Sequence, residues 1–149
     1  MGVEIERKFL VHKEKWEQIK PKVGKQISQG YLMNTPELVV RIRTKGDKGF
    51  VTIKGHLNTI SRTEYEYEIP YNEAMEMLQQ YCPKRIEKTR FEIRMGNHLW
   101  EVDEFVQPLT GLILAEIELQ DEMDQFEIPD WIKEEVTHLP EYYNANMLK

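Results

Sequence analysis

The chain has 149 residues, 31% of them charged, and a formal net charge of −6. That length supports one substantial core, so residues 1–149 read as a single domain with its site inside it, and the net acidity excludes generic nucleic-acid binding, which draws on uncompensated lysine and arginine. No apolar run approaches the roughly 18 residues that span a bilayer, and Glu4, Glu6, Arg7 and Lys8 stand where a signal peptide would be apolar.

Taken in chain order, the dominant pattern is alternation with period two, which predicts strands over residues 2–11, 26–33, 37–45, 49–55, 60–69, 84–95, 98–106 and 112–120. The segments Asn34–Pro36, Lys45–Gly49 and Gly96–Asn97 carry residues suited to tight reversals. Such short connections imply antiparallel neighbours. Helical spacing appears twice: residues 13–20 put Trp16 and Ile19 on one side, and residues 72–81 align Ala74, Met77, Leu78 and Tyr81, with Asn72 as N-cap. Cys82, the one cysteine, cannot form an intrachain disulfide; it reads as a small buried hydrophobe of a reducing compartment, and the protein is expected in the cytoplasm. From about Asp130 the segment carrying Pro140 is expected to make two short helical turns.

Each strand has two chemically different faces. Val3, Ile5, Phe9 and Val11 oppose Glu4, Glu6 and Lys8; Val40 and Ile42 oppose Arg41 and Arg43; Val51 and Ile53 oppose Thr52 and Lys54. Further on, Tyr65, Tyr67 and Ile69 oppose Arg62, Glu64, Glu66 and Glu68, and Phe91, Ile93 and Met95 oppose Lys88, Arg90, Glu92 and Arg94. Val102 and Val106 then oppose Glu101 and Asp103, and Ala115, Ile117 and Leu119 oppose Glu116 and Glu118.

An antiparallel sheet with one solvated face gives the same alternation in any single strand. Two features favour closure. The polar stripes are dense in carboxylates and arginine, with acids and bases concentrated on different strands, and eight strands with short connections can close a barrel and so remove their exposed edges. The expected fold is therefore mostly β (α+β): an eight-stranded antiparallel β-barrel forming a charged tunnel, with a few short covering helices. Charges inside a lumen need partners. A polyphosphate bound with divalent cations supplies both kinds, since Arg and Lys contact phosphate oxygens and Asp and Glu hold the metal.

The opening Glu4-Ile5-Glu6-Arg7-Lys8 resembles the E-x-E-x-K signature of the triphosphate tunnel metalloenzymes, the CYTH superfamily. The resemblance continues in order through Val40–Arg43, Thr52–Lys54, Arg62–Glu68, Lys88–Arg90, Asp103–Phe105 and Ala115–Leu119, and ends with Val136-Thr137, Tyr143-Asn144 and Leu148. It implies an eight-stranded tunnel, Mg²⁺ or Mn²⁺, and cleavage or rearrangement of triphosphates.

By resemblance Glu4, Glu6, Glu116 and Glu118, with Asp103 as a fifth candidate, are the expected metal ligands; the paired spacing puts two carboxylates on one face roughly 7 Å apart along a strand. Oxygen ligation suits Mg²⁺ or Mn²⁺, whereas His12, His56, His98 and His138 are too scattered for zinc. Lys8, Arg41, Arg43, Lys54, Lys88 and Arg90 match phosphate-binding positions, with Arg62 a further candidate, and Glu4, Glu6, Lys8 and Lys88 are the expected catalytic residues. Glu64 and Glu68 are expected to pair with the tunnel's own cations; Glu66 is open between that role and water activation or a second metal. Tyr65, Tyr67 and Trp100 are expected to pack against covering helices.

The expected activity is hydrolysis of the terminal phosphate of inorganic triphosphate or nucleoside triphosphates. An adenylate cyclase or a thiamine triphosphatase is the alternative within the same resemblance. The only expected partner is a small-molecule triphosphate, with the chain as monomer or homodimer.

Overall fold

The computed structural model describes residues 2–56 and 60–148. The predicted strands form within one or two residues of the expected bounds. They are β1 Gly2–Val11, β2 Lys25–Asn34, β3 Leu38–Lys45, β4 Lys48–Gly55, β5 Ser61–Ile69, β6 Ile86–Met95, β7 His98–Gln107 and β8 Ile113–Glu118. Hydrogen bonding runs in the order β5-β4-β3-β2-β6-β7-β8-β1, every pair antiparallel, and a further pairing of β1 with β5 closes the eight-stranded barrel. Two-residue turns fix the β3–β4 and β6–β7 hairpins, where Lys45 faces Lys48 and Met95 faces His98. Gly46 and Gly96 take φ of 60° and 61° there, the left-handed conformation that such turns require.

The seam lies in β1. Gly2–Ile5 pair with β5 on one edge, while Glu6–Leu10 pair with β8 on the other. Past Ile5 the first edge passes to β9, Ile132–Glu135, a short strand that the sequence pattern did not predict. Its four residues have no alternation to reveal it; it forms because the β1 backbone needs partners where β5 departs. The two helical turns expected near the end follow it, at Pro140–Tyr142 and Asn144–Asn146.

The apolar parity faces outward, under two helices, α1 Lys13–Ile19 and α2 Tyr71–Tyr81. Trp16 of α1 packs with Phe91, Trp100, Trp131, Phe9 and Ile117 over the outer face of β1, β6, β7 and β8. Ala74 and Leu78 of α2 cover Ile42, Val51 and Ile69. Three details differ from expectation. Ile19 and Tyr81 are exposed, so the buried stripe of each helix is narrower than its spacing suggests. Asn72 does not cap α2: Pro70 occupies the cap position with no side-chain hydrogen bond, and Asn72 lies within the first turn. Trp100 is buried, but α2 leaves Tyr65 and Tyr67 exposed on β5.

Gly30 of β2 lies tight against Cys82, the residue that caps the end of α2. A Cβ there would lie 2.5 Å from Cys82 Cβ and 2.8 Å from its Sγ. Gly30→Ala is expected to cost about 1–3 kcal/mol by overpacking, seen as a lower urea midpoint with an unchanged m-value. Cys82 is buried, as expected of a small hydrophobe.

Inward parity is not charged along its whole length. Leu10, Ile86, Phe105 and Leu114 face one end of the barrel, where Val136, Tyr142, Met147 and Leu148 pack against them as an apolar plug. The charged stripes occupy the remainder. Among the described residues no helix is long and apolar enough to cross a membrane.

Candidate active site

Strand pleating delivers the even-numbered residues of β1, β4, β5, β6 and β8, and the odd-numbered ones of β2, β3 and β7, to one cavity of about 220 Å³. Its lining includes Glu4, Glu6, Lys8, Arg41, Arg43, Lys54, Arg62, Lys88, Arg90, Glu116 and Glu118, all but one of the predicted site residues. The exception is Asp103, which lies in the wall. Both its oxygens are taken by Arg90, at 2.7 and 2.8 Å, and Lys88 Nζ lies 2.7 Å away.

The cavity is divided by charge. Carboxylates from β1, β5 and β8 gather on one side, where Glu4, Glu64 and Glu118 each place an oxygen within 4.8 Å of the others. Glu6 faces Glu118 across the β1–β8 ladder, and Lys8 faces Glu116, whose Oε1 is 3.6 Å from Lys8 Nζ. Lys54 reaches in from β4 to Glu4 at 2.8 Å and Glu64 at 3.6 Å. Glu64 therefore both pairs with a tunnel cation, as expected, and joins the acidic group.

These carboxylates hold more negative charge than their neighbours offset. Burial, and then the charges of Glu116 and Glu4, push Glu6 well above the ordinary carboxylate range. Burial and Glu4 push Glu64 up to about 7, and burial with Glu4 and Glu101 raises Glu118. Burial also acts to raise Glu4, but the charge and hydrogen bond of Lys54 outweigh it and hold Glu4 low. Glu116 is likewise held well below the usual range against burial, by Lys8 first.

A pH dependence follows. Between the ordinary Glu value near ~4.3 and Glu64's value of about 7, the folded protein binds its proton more tightly than the unfolded chain does. The stability of the metal-free protein is therefore expected to fall as pH rises through that window, with Glu6 acting in the same sense. Mg²⁺, binding only the ionised group, should flatten or reverse the trend; melting temperature against pH, with EDTA and with Mg²⁺, measures both.

The basic side is built on β2, β3 and β6. Arg41 donates through Nη2 to Thr52 Oγ1 at 3.2 Å and toward Glu66 at 3.5 Å, while its buried Nε has no hydrogen-bond partner among the described residues. Arg43 donates through Nε and Nη2 to Gln29 Oε1 at 2.9 and 2.7 Å. Lys88 Nζ donates to Asn144 Oδ1 at 2.9 Å, and Lys8 Nζ to the Tyr142 carbonyl at 2.9 Å. Burial, with Arg90 and Arg43 nearby, pulls the Lys88 ammonium below its ordinary range against the pull of Asp103.

Residue reasoning gave no site role to Tyr31, Glu101 and Asn144, which line this cavity, or to Gln29, which is buried in the wall beside it. Gln29 and Tyr31 share inward parity on β2, a strand whose alternation carries no charge to mark it. Asn144 arrives on a turn far in sequence from the strands it meets.

A closed antiparallel barrel whose interior sets a carboxylate group against guanidinium and ammonium groups has the architecture of a charged tunnel. The CYTH domain matches residues 2–146, and the chain belongs to that family. An inorganic triphosphatase of Acetivibrio thermocellus is 46% identical over 150 aligned residues, covering 100% of this chain and 95% of that protein. One from Nitrosomonas europaea is 34% identical over 145 residues, covering 95% and 93%. A crystal structure of an inorganic triphosphatase superposes with a TM-score of 0.65 at 34% identity, over 97% of this chain and 93% of that one.

Proposed function

We propose that this protein hydrolyses the terminal phosphate of small triphosphate compounds, inorganic triphosphate first among them, with Mg²⁺ or Mn²⁺. The observation that carries the reading is the division of one cavity in the barrel interior into a carboxylate side and a guanidinium–ammonium side. Relatives named inorganic triphosphatase support it.

The acidic group fits a hard divalent cation, because crowded carboxylates that resist ionisation lose that strain beside a dication. Glu4, Glu64 and Glu118 would hold it, with Glu6 and Glu116 adjacent. When bound, the ion supplies charge neutralisation at phosphate oxygens and a more acidic water. Asp103 then acts as counter-ion to Arg90 and Lys88.

The chain's own residues do the rest. Arg41, Arg43 and Arg62, which line the cavity, bind phosphate oxygens. Lys8 and Lys88, fixed by Glu116 and by Asp103 with Asn144, face charge developing on the transferred and leaving groups. The barrel wall and apolar plug limit bulk water around the site. With one buried thiol, Cys82, we place the protein in the cytoplasm.

The test is phosphate release from inorganic triphosphate, ATP and thiamine triphosphate with Mg²⁺ or Mn²⁺, with Glu4→Ala as the blank. Orthophosphate from inorganic triphosphate, lost in the blank, supports the reading. Cyclic AMP with pyrophosphate from ATP as the main product overturns it.

A further inference from the structure

The cations of the cavity have two kinds of partner. Arg90 is gripped by both oxygens of Asp103, Lys54 lies 2.8 Å from Glu4, and Lys8 lies 3.6 Å from Glu116. Arg43 differs. It is buried, yet its Nε and Nη2 both donate to a single neutral oxygen, Gln29 Oε1. Gln29 is itself 0% exposed, and its Nε2 donates to the Tyr31 hydroxyl at 3.1 Å and to Asn144 Oδ1 at 3.4 Å. The same Asn144 oxygen accepts from Lys88 Nζ. Two amides thus link Arg43 on β3 to Lys88 on β6, through β2 and the last turn of the chain.

A carboxylate would occupy the volume of Gln29 and bind the guanidinium more strongly, since charge-assisted bidentate pairs are about twice as strong as neutral hydrogen bonds. It would also compensate the charge of Arg43. Burial, with Arg41 and Arg90 close by, drags Arg43 down to about 9, so this cation lacks compensation in the folded state. A neutral acceptor here satisfies the inward N–H groups of Arg43 and fixes its plane. It leaves the positive charge and the remaining N–H donors for an anion.

We propose that Gln29 is a positioning residue for phosphate recognition, holding Arg43 oriented and uncompensated so that its charge is reserved for the triphosphate. The inference rests on the reading of Arg43 as a phosphate-binding residue.

Gln29→Glu separates this role from a structural one. The variant keeps the shape and the acceptor for Arg43, adds an ion pair, and gives up the two Nε2 donations to Tyr31 and Asn144. KM for inorganic triphosphate should rise by about tenfold or more while kcat changes far less. Gln29→Met, which removes the acceptor, should lower both stability and substrate affinity. A Gln29→Glu variant with unchanged KM overturns the inference, because the amide would then be serving packing alone. Arg43→Ala is the control: if it leaves KM unchanged, the phosphate-site reading itself fails. If Arg43→Ala is impaired while Gln29→Glu matches the parent, only the inference about Gln29 fails.

Discussion

Replacing Arg41 by alanine is expected to weaken triphosphate binding on the order of 30-fold or more while leaving the fold as stable as before, or more so. Arg41 is buried at 7% exposure on the basic side, with an Nε that no described residue satisfies and a neighbour, Arg43, that it repels. Removing it takes away a cation that lines the cavity and relieves cation crowding there. Truncating one partner of a buried, hydrogen-bonded charge pair costs about 2–5 kcal/mol of binding, which corresponds to a rise in KM on the order of 30-fold or more. An arginine on an ordinary solvated face would change stability by less than about 0.5 kcal/mol and binding not at all. Calorimetric titration with triphosphate and Mg²⁺, beside a thermal melt of the metal-free variant, reads both halves of the expectation.

Asp103→Asn should have the opposite profile, a large loss of stability. Asp103 is 1% exposed and is the shared counter-ion of Arg90 and Lys88. Burial alone would raise its carboxyl; Arg90 and then Lys88 hold it well below the usual range instead. Neutralising it removes the carboxylate shared by two buried cations and leaves Arg90 the longer pair with Glu101 at 3.4 Å and Lys88 the neutral Asn144 oxygen, a loss of roughly 3–5 kcal/mol. For a chain of this size that corresponds to a fall in melting temperature of about 10 °C. A depressed carboxylate contributes stability that is complete above its unfolded-state value near ~3.9 and is lost only as pH falls below it. The variant should therefore show its full defect at pH 7 and a flatter stability profile in acid. Denaturant unfolding at both pH values measures this. Were Asp103 a metal ligand rather than a counter-ion, the metal-free variant would be as stable as the parent and only metal affinity would fall.

The barrel was legible because its two faces differ so sharply in chemistry. Glu4, Glu6 and Lys8 against Ile5, Phe9 and Val11 sets both the strand and the direction of its faces, and the same parity in Arg41, Arg43, Lys88, Arg90, Glu116 and Glu118 brings those residues to one cavity. What alternation cannot show is whatever carries no charge or no period. The four residues of β9 were invisible because they answer a vacancy on the β1 edge rather than a pattern of their own. Gln29 and Asn144 are neutral, and their place is set by the charges they touch. The apolar plug was hidden for another reason: Leu10, Ile86, Phe105 and Leu114 sit at the ends of charged stripes and read there as strand termini. Asp103 shares the parity of Glu101 but not its fate, since Arg90 faces it directly across the β6–β7 ladder and takes both its oxygens.

The central claim is that the divided cavity takes a divalent cation on its acidic side and a triphosphate on its basic side. Crystals grown with Mn²⁺ and a non-hydrolysable imidotriphosphate test it most directly, through the anomalous signal of the metal. The account predicts a manganese peak among the carboxylates of Glu4, Glu64 and Glu118, bridged to phosphates that contact Arg41 and Arg43. Manganese on the outer surface, with the cavity holding only water and its arginines turned to protein carboxylates, would contradict it.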